Sequence, residues 1–139
     1  MDVLFMKAPI MIHSIPVRVY YEDTDMAGIV YYANYLRYIE RGRSEWVRDV
    51  GLDQNVMKER DGVVFAVRRL EADYLGSAKL DDALVVETQV KSVSGVRMVM
   101  EQSVKRGEDL LFHALVTVVC MSLGGQPTRL PANIRQMVH

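Results

Sequence analysis

The sequence predicts an α+β fold, an antiparallel sheet wrapped around one long central helix. One segment, residues 34–50, has apolar residues at helical spacing. It is followed by β-branched, alternating segments that continue to Leu123. A helix with an apolar stripe must bury it, and consecutive antiparallel strands offer a matching face. The chain has no repeat, no low-complexity tract and no Gly/Pro/Ser-rich linker, so a single domain spanning 1–139 is expected.

The elements follow in order. Residues 15–21 (Ile-Pro-Val-Arg-Val-Tyr-Tyr) alternate and predict a first strand, with Pro16 near its start. A polar turn, Glu22 to Gly28, leads into an apolar-aromatic piece, Ile29 to Tyr32. Asn34 is a candidate N-cap. Leu36, Ile39, Arg43, Trp46, Val47 and Val50 then recur at helical spacing, with Arg37, Glu40, Arg41, Glu45 and Arg48 on the other face. Trp46 is expected to anchor the core, and Gly51 to end the helix. Leu52–Arg60 predicts a short second helix broken by Asp61-Gly62. Val63–Tyr74, Leu84–Lys91, Val96–Lys105 and Leu110–Leu123 are expected as a four-strand meander, with turns at Ser92–Gly95 and Arg106–Asp109.

Composition narrows the function. Half of the 139 residues are hydrophobic and a quarter are charged, which suits a folded domain. A formal net charge of −1 argues against nucleic acid or an anionic membrane as the main partner. No stretch is long and apolar enough to span a bilayer. Lys7, Pro9 and His13 interrupt the N-terminal Met1–Ile15, which lacks a small-residue cleavage site. A cytoplasmic protein is expected. Cys120 is the only cysteine and lies in an apolar run, so it is expected as a buried strand residue. His13, His113 and His139 are far apart with no cysteine cluster, so no metal site is expected. There is no Gly-x-Ser-x-Gly and no glycine-rich phosphate loop, and no cofactor is expected.

The chemistry concentrates in Tyr20–Tyr35, where three acids, five tyrosines and Gly28 precede the long helix. A helix N-terminus presents unpaired N–H groups and the positive end of its dipole, which can stabilise an oxyanion. A carboxylate nearby can act as nucleophile or general base, and carboxylates are ionised at neutral pH without tuning. On spacing alone the ordinary roles are favoured, with Asp and Asn as caps and tyrosines packed at strand ends.

The stretch Arg18-Val19-Tyr20-Tyr21-Glu22-Asp23-Thr24-Asp25-Met26-Ala27-Gly28-Ile29-Val30-Tyr31-Tyr32-Ala33-Asn34-Tyr35 resembles the signature of the 4-hydroxybenzoyl-CoA thioesterase family, closest to its Tol-Pal-associated, YbgC-like acyl-CoA thioesterase branch. The likeness continues through Leu36–Trp46, Phe65–Arg69, Ala78–Asp82 and Arg129–Pro131. It implies the hotdog fold and hydrolysis of an acyl-CoA thioester to free acid and coenzyme A. It also implies a homodimer at least, with a homotetramer expected, and active sites at the subunit interface. Asp25 matches the family's catalytic aspartate, and the backbone N–H of Tyr32 matches the group that polarises the thioester carbonyl. Tyr21, Gly28 and Tyr31 are the substrate-binding candidates of the same motif. For Tyr21, packing beneath the turn is an equal alternative. The resemblance assigns no catalytic role to Asp23. The branch usually carries histidine where this chain has Tyr32, so an imidazole role is lost while the N–H is kept.

Two mechanisms stay open: Asp25 attacks to form an acyl-enzyme anhydride, or it activates a water. Two alternatives to catalysis of this kind are weighed. One is a non-catalytic hotdog protein that binds acyl-CoA or an acyl carrier. The other is a hydratase or dehydratase, which usually needs a histidine that Tyr20–Gly51 lacks. Arg68, Arg69, Lys91, Arg97 and Lys105 are candidates for the coenzyme phosphates, and none stands out.

Overall fold

The computed structural model describes residues 11–137, so His139 and most of the N-terminal segment lie outside it. Strand β1 (His13–Arg18) is followed by a 3₁₀ turn at Tyr21–Asp23 and by the long helix α1 (Asn34–Asp49). A short helix α2 (Gln54–Val56) runs on into a wider π-type turn, Met57–Asp61. Strands β2 (Val63–Tyr74), β3 (Ala83–Ser94), β4 (Arg97–Arg106) and β5 (Asp109–Ser122) follow, with a last turn of helix α3 (Ala132–Arg135). One five-stranded sheet results, in the order β1-β3-β4-β5-β2, and every pairing is antiparallel. Helix α1 packs on β1, β3 and β4. This is the expected α+β fold.

Helix α1 buries Tyr35, Tyr38, Ile39, Gly42, Trp46 and Val47. Against them lie alternate residues of the sheet: Leu84 and Val86 of β3, Met98, Met100 and Val104 of β4, and Phe112, Ala114, Val116 and Cys120 of β5. Trp46 is a core residue, and burial pushes the Cys120 thiol up. The helix comes closest at Gly42. A Cβ there would lie 2.8 Å from Val86 Cγ1, 2.9 Å from Thr88 Oγ1 and 3.1 Å from Gln102 Nε2. Gln102, fully buried, donates from Nε2 to the Ile39 carbonyl (2.8 Å) and to Thr88 Oγ1 (2.9 Å). The helix is thus pinned to the sheet by a satisfied polar pair inside an apolar core. At its far end Gly51, with φ +90°, completes the C-terminal motif. Gly51 N donates to Arg48 O and Leu52 N to Val47 O.

Five expectations are corrected. The first strand ends at Arg18, because Tyr20 and Tyr21 enter the 3₁₀ turn. Asn34 is the first helical residue and not the cap; its side chain turns back to the Asp23 carbonyl. Leu36 is exposed, and Tyr35 and Tyr38 take the place given to it in the buried stripe. The four-strand meander is a three-strand one, β3-β4-β5. Strand β2 pairs with β5 from Val63↔Ser122 to Tyr74↔Phe112. The reason lies in the connection Leu75–Asp82, too long for a tight hairpin and engaged with the helix start. In addition, β3 runs to Ser94, so the following turn is centred on Gly95-Val96.

Candidate active site

The site is built on a small hairpin ahead of α1. Thr24 bridges Val30, Asp25 N donates to Ile29 O (2.9 Å), and Gly28 N donates to Asp25 O (3.0 Å). The tip is Asp25-Met26-Ala27-Gly28. Asp25 Oδ1 accepts from Ala27 N (2.9 Å), the local turn that aspartate favours. Gly28 has φ +80°, which a residue with a side chain rarely adopts, and nothing lies within 4 Å of where its Cβ would be.

One carbonyl ties this hairpin to the helix. Asp23 O accepts from Tyr31 N (2.9 Å) and from Asn34 Nδ2 (2.9 Å). The Asp23 carboxylate closes the preceding turn by accepting from Tyr20 N (2.9 Å). From the other side, the Leu75–Asp82 connection holds both parts. Val30 N donates to Ala78 O (2.9 Å), and Ala78 N donates to the Tyr35 hydroxyl (3.0 Å). That connection is itself held by Asp82, whose carboxylate accepts from Lys79 N (2.8 Å) and from Arg106 Nη1 (2.9 Å). The Lys79 N–H, and then the Arg106 guanidinium, keep the Asp82 carboxyl below the usual range.

Just ahead of α1, the Tyr32 N–H donates to no acceptor among the described residues, as a free helix-start donor should. The Tyr32 carbonyl accepts from the Tyr74 hydroxyl (3.1 Å). Tyr32 stands 5.0 Å from Tyr31 and 6.1 Å from Tyr74, ring centroid to centroid. Tyr35 stacks on Phe112 at 5.2 Å. A cleft of about 350 Å³ opens beside the helix start, lined by Ile29, Val30, Tyr32, Tyr35, Tyr74 and Gly76 among others.

Of the expected site residues, Asp25 and Gly28 share the hairpin tip, and Tyr31 and Tyr32 share the aromatic cluster. No hydrogen bond joins Asp25 to Tyr32 among the described residues. Tyr21 does not pack beneath the turn. It is 82% exposed, and only its carbonyl is engaged, by Thr24 N and Oγ1. Sequence reasoning missed Asn34 as the clasp, Tyr74 and Tyr35 as cleft walls, and Ala78 as the tie. The Ala78–Asp82 stretch gave a signal, since it recurs in the resemblance, but nothing in its residue types announced a backbone role. Among the described residues no three of His, Cys, Asp and Glu cluster as metal ligands.

A sheet curled on one helix, with an acid-bearing turn and a free N–H at the helix start, defines a hotdog-fold protein. Residues 19–138 match the model of the thioesterase-like superfamily. The chain is 42% identical over 127 residues to the acyl-CoA thioesterase YbgC of Haemophilus influenzae, covering 91% of this chain and 93% of that protein. Two solved structures are similar. A probable thioesterase from Bartonella henselae has a TM-score of 0.84 at 37% identity, covering 87% of this chain and 100% of that one. The 4-hydroxybenzoyl-CoA thioesterase of Pseudomonas sp. strain CBS-3 has a TM-score of 0.82 at 26% identity, covering 90% and 98%. The chain belongs to the thioesterase-like superfamily and is a thioester hydrolase.

Proposed function

We propose that the chain hydrolyses acyl-CoA thioesters to a free acid and coenzyme A, with Asp25 and the Tyr32 N–H as its catalytic groups. The observation that carries this reading is the Asp23 carbonyl. It binds the helix start through Tyr31 N and Asn34 Nδ2, two residues from Asp25. Acid and donor therefore belong to one hydrogen-bonded unit. The name of the Haemophilus relative supports coenzyme A as the thiol.

The Tyr32 N–H and the helix dipole draw charge onto the thioester oxygen. Ala27 N holds Asp25 Oδ1, and Oδ2 has no hydrogen bond among the described residues, so Oδ2 is the reacting oxygen. It either attacks the carbonyl carbon, expelling the thiolate and leaving an anhydride that water cleaves, or it takes a proton from the attacking water. Tyr31, Gly28 and Tyr21 border the acyl-CoA. The aromatic surface around the site, with Tyr21 and Tyr32 exposed, supports assembly as a homodimer or tetramer that covers it.

Thiol release from aromatic and aliphatic acyl-CoAs by the purified chain tests the reading. Asp25→Asn is expected to lower kcat/KM by about 100-fold or more with unchanged thermal stability. An Asp25→Asn protein that keeps most of its activity refutes the assignment.

A further inference from the structure

The first turn of α1 is loosely closed. Asn34 N donates to Tyr31 O (2.8 Å) and Leu36 N to Ala33 O (3.1 Å), but Tyr35 N stands 3.4 Å from Tyr32 O. The Tyr32 carbonyl finds its shorter partner outside the helix, in the Tyr74 hydroxyl at 3.1 Å. Tyr74 is the last residue of β2, and its ring has three aromatic neighbours, all edge-on. Phe112, its cross-strand partner on β5, is 5.0 Å away, Tyr35 5.7 Å and Tyr32 6.1 Å, centroid to centroid. Phe112 and Tyr35 are buried, so the hydroxyl is carried on a well-packed base. Burial, and then the neighbouring Tyr32 and Tyr35, push the Tyr74 pKa up, so its hydroxyl stays protonated and able to donate.

The carbonyl that Tyr74 holds belongs to the peptide group whose other end is the Ala33 N–H. A hydrogen bond on a peptide oxygen restrains the whole planar group and strengthens its N–H as a donor. Ala33 N, like Tyr32 N, donates to no acceptor among the described residues. Tyr32 and Ala33 are the central residues of the turn closed by Asn34 N on Tyr31 O, and Ala33 has helical dihedrals, φ −69° and ψ −20°. Successive N–H groups in such a turn face the same way, out of the helix start. The Asp23 carbonyl takes Tyr31 N and leaves these two unused.

We propose that Tyr74 is a positioning residue for thioester hydrolysis: its hydroxyl holds the Tyr32–Ala33 peptide so that the Ala33 N–H joins the Tyr32 N–H as a second donor to the thioester oxygen. This rests on the reading that the Tyr32 N–H polarises the carbonyl. As the nucleophile adds to the carbonyl carbon, the carbonyl π pair moves onto that oxygen. Two donors share the charge until the pair returns and the carbon–sulfur bond breaks, releasing the thiolate. Tyr74 acts through the peptide and not on the reacting atoms.

The test has two readouts on the full chain. Tyr74→Phe removes the hydroxyl and keeps the ring. With benzoyl-CoA, butyryl-CoA and palmitoyl-CoA as probes, its kcat is expected to fall about fivefold to tenfold, the worth of one neutral hydrogen bond. That is less than the ~100-fold loss of a donor itself, because both N–H groups remain. KM should stay within about twofold, since the support is felt mainly in the transition state. The second readout is the amide spectrum of the chain labelled with ¹⁵N-alanine and ¹⁵N-tyrosine, titrated with phenacyl-CoA, a ketone that cannot be hydrolysed. Both the Tyr32 and the Ala33 amide protons should move downfield, and Tyr74→Phe should reduce the Ala33 movement. A merely structural role for Tyr74 would lower the melting temperature and leave the Ala33 movement unchanged. A shift at Tyr32 alone, a kcat within about twofold of the parent, or a loss confined to KM overturns the proposal. If Asp25→Asn is inactive while Ala33 stays unmoved, this inference alone fails. If neither amide moves, or the parent releases no thiol, the reading beneath it fails as well. Should Tyr74→Phe not fold, the Ala33 amide of the unaltered chain decides alone.

Discussion

At Tyr32 the backbone and the side chain are separable. Tyr32 is 61% exposed and its ring lies near those of Tyr31 and Tyr74, while its N–H donates to no acceptor among the described residues. If the N–H alone polarises the carbonyl, Tyr32→Phe should change kcat/KM by less than about tenfold, because loss of a true oxyanion donor costs ~100-fold or more. Steady-state kinetics on a single acyl-CoA checks this. The same separation explains how a tyrosine can stand where the similar branch usually has a histidine. Residues of this kind are hard to read from a sequence. The turn that carries Asp25 and Gly28 was legible because an Asp-rich stretch ending in glycine announces a tight turn by its side chains or their absence. Asn34 looked like an ordinary cap, and only the folded hairpin brings the Asp23 carbonyl to its amide.

At the scale of elements, α1 and the sheet meet through a gap that only Gly42 fits. Gly42→Ala gains at most about 1 kcal/mol of helix propensity. It forces a Cβ to within 2.8–3.1 Å of three groups from two strands, two of them in the buried Gln102–Thr88 pair. Overpacking of this type costs about 1–3 kcal/mol, so the variant should unfold at lower denaturant than the parent, read by circular dichroism. A second element, the Leu75–Asp82 connection, should be acid-sensitive. Asp82 has a lowered folded-state pKa, so its contribution is present above the ordinary carboxylate pKa and is lost as pH falls through the lower folded value. Melting curves from pH 6 down to about 3 should therefore show a smaller acid loss for Asp82→Asn than for the parent. Helix and strand identities were legible because hydrophobic period reports burial directly. The partner of β2 was not, because alternation along Val63–Tyr74 says which face is apolar and nothing about which neighbour it meets.

Across the whole molecule, the outer surface of the site end is unusually apolar for a lone chain. Tyr21, Met26, Tyr32, Leu75 and Leu80 are all substantially exposed. A solution mass of at least twice that of the chain is expected by light scattering, and a monomer at micromolar concentration contradicts it. The fold class itself was legible at this scale, since one long amphipathic helix and several apolar strands have few ways to cover each other. No helix among the described residues is long and apolar enough to cross a membrane.

Strand β2 finds its only sheet partner in β5, the last strand of the chain's described residues. Val63 meets Ser122 across most of the chain's C-terminal half, so this closure loses more chain entropy than any neighbouring hairpin. The Leu75–Asp82 connection, which carries Ala78 to the helix start, hangs from β2 and is steadied by Arg106 and Leu111. A nascent chain on the ribosome can therefore form the helix early yet cannot complete the cleft at the helix start until the final strand has emerged. A truncation within β5 should leave a helical but inactive intermediate.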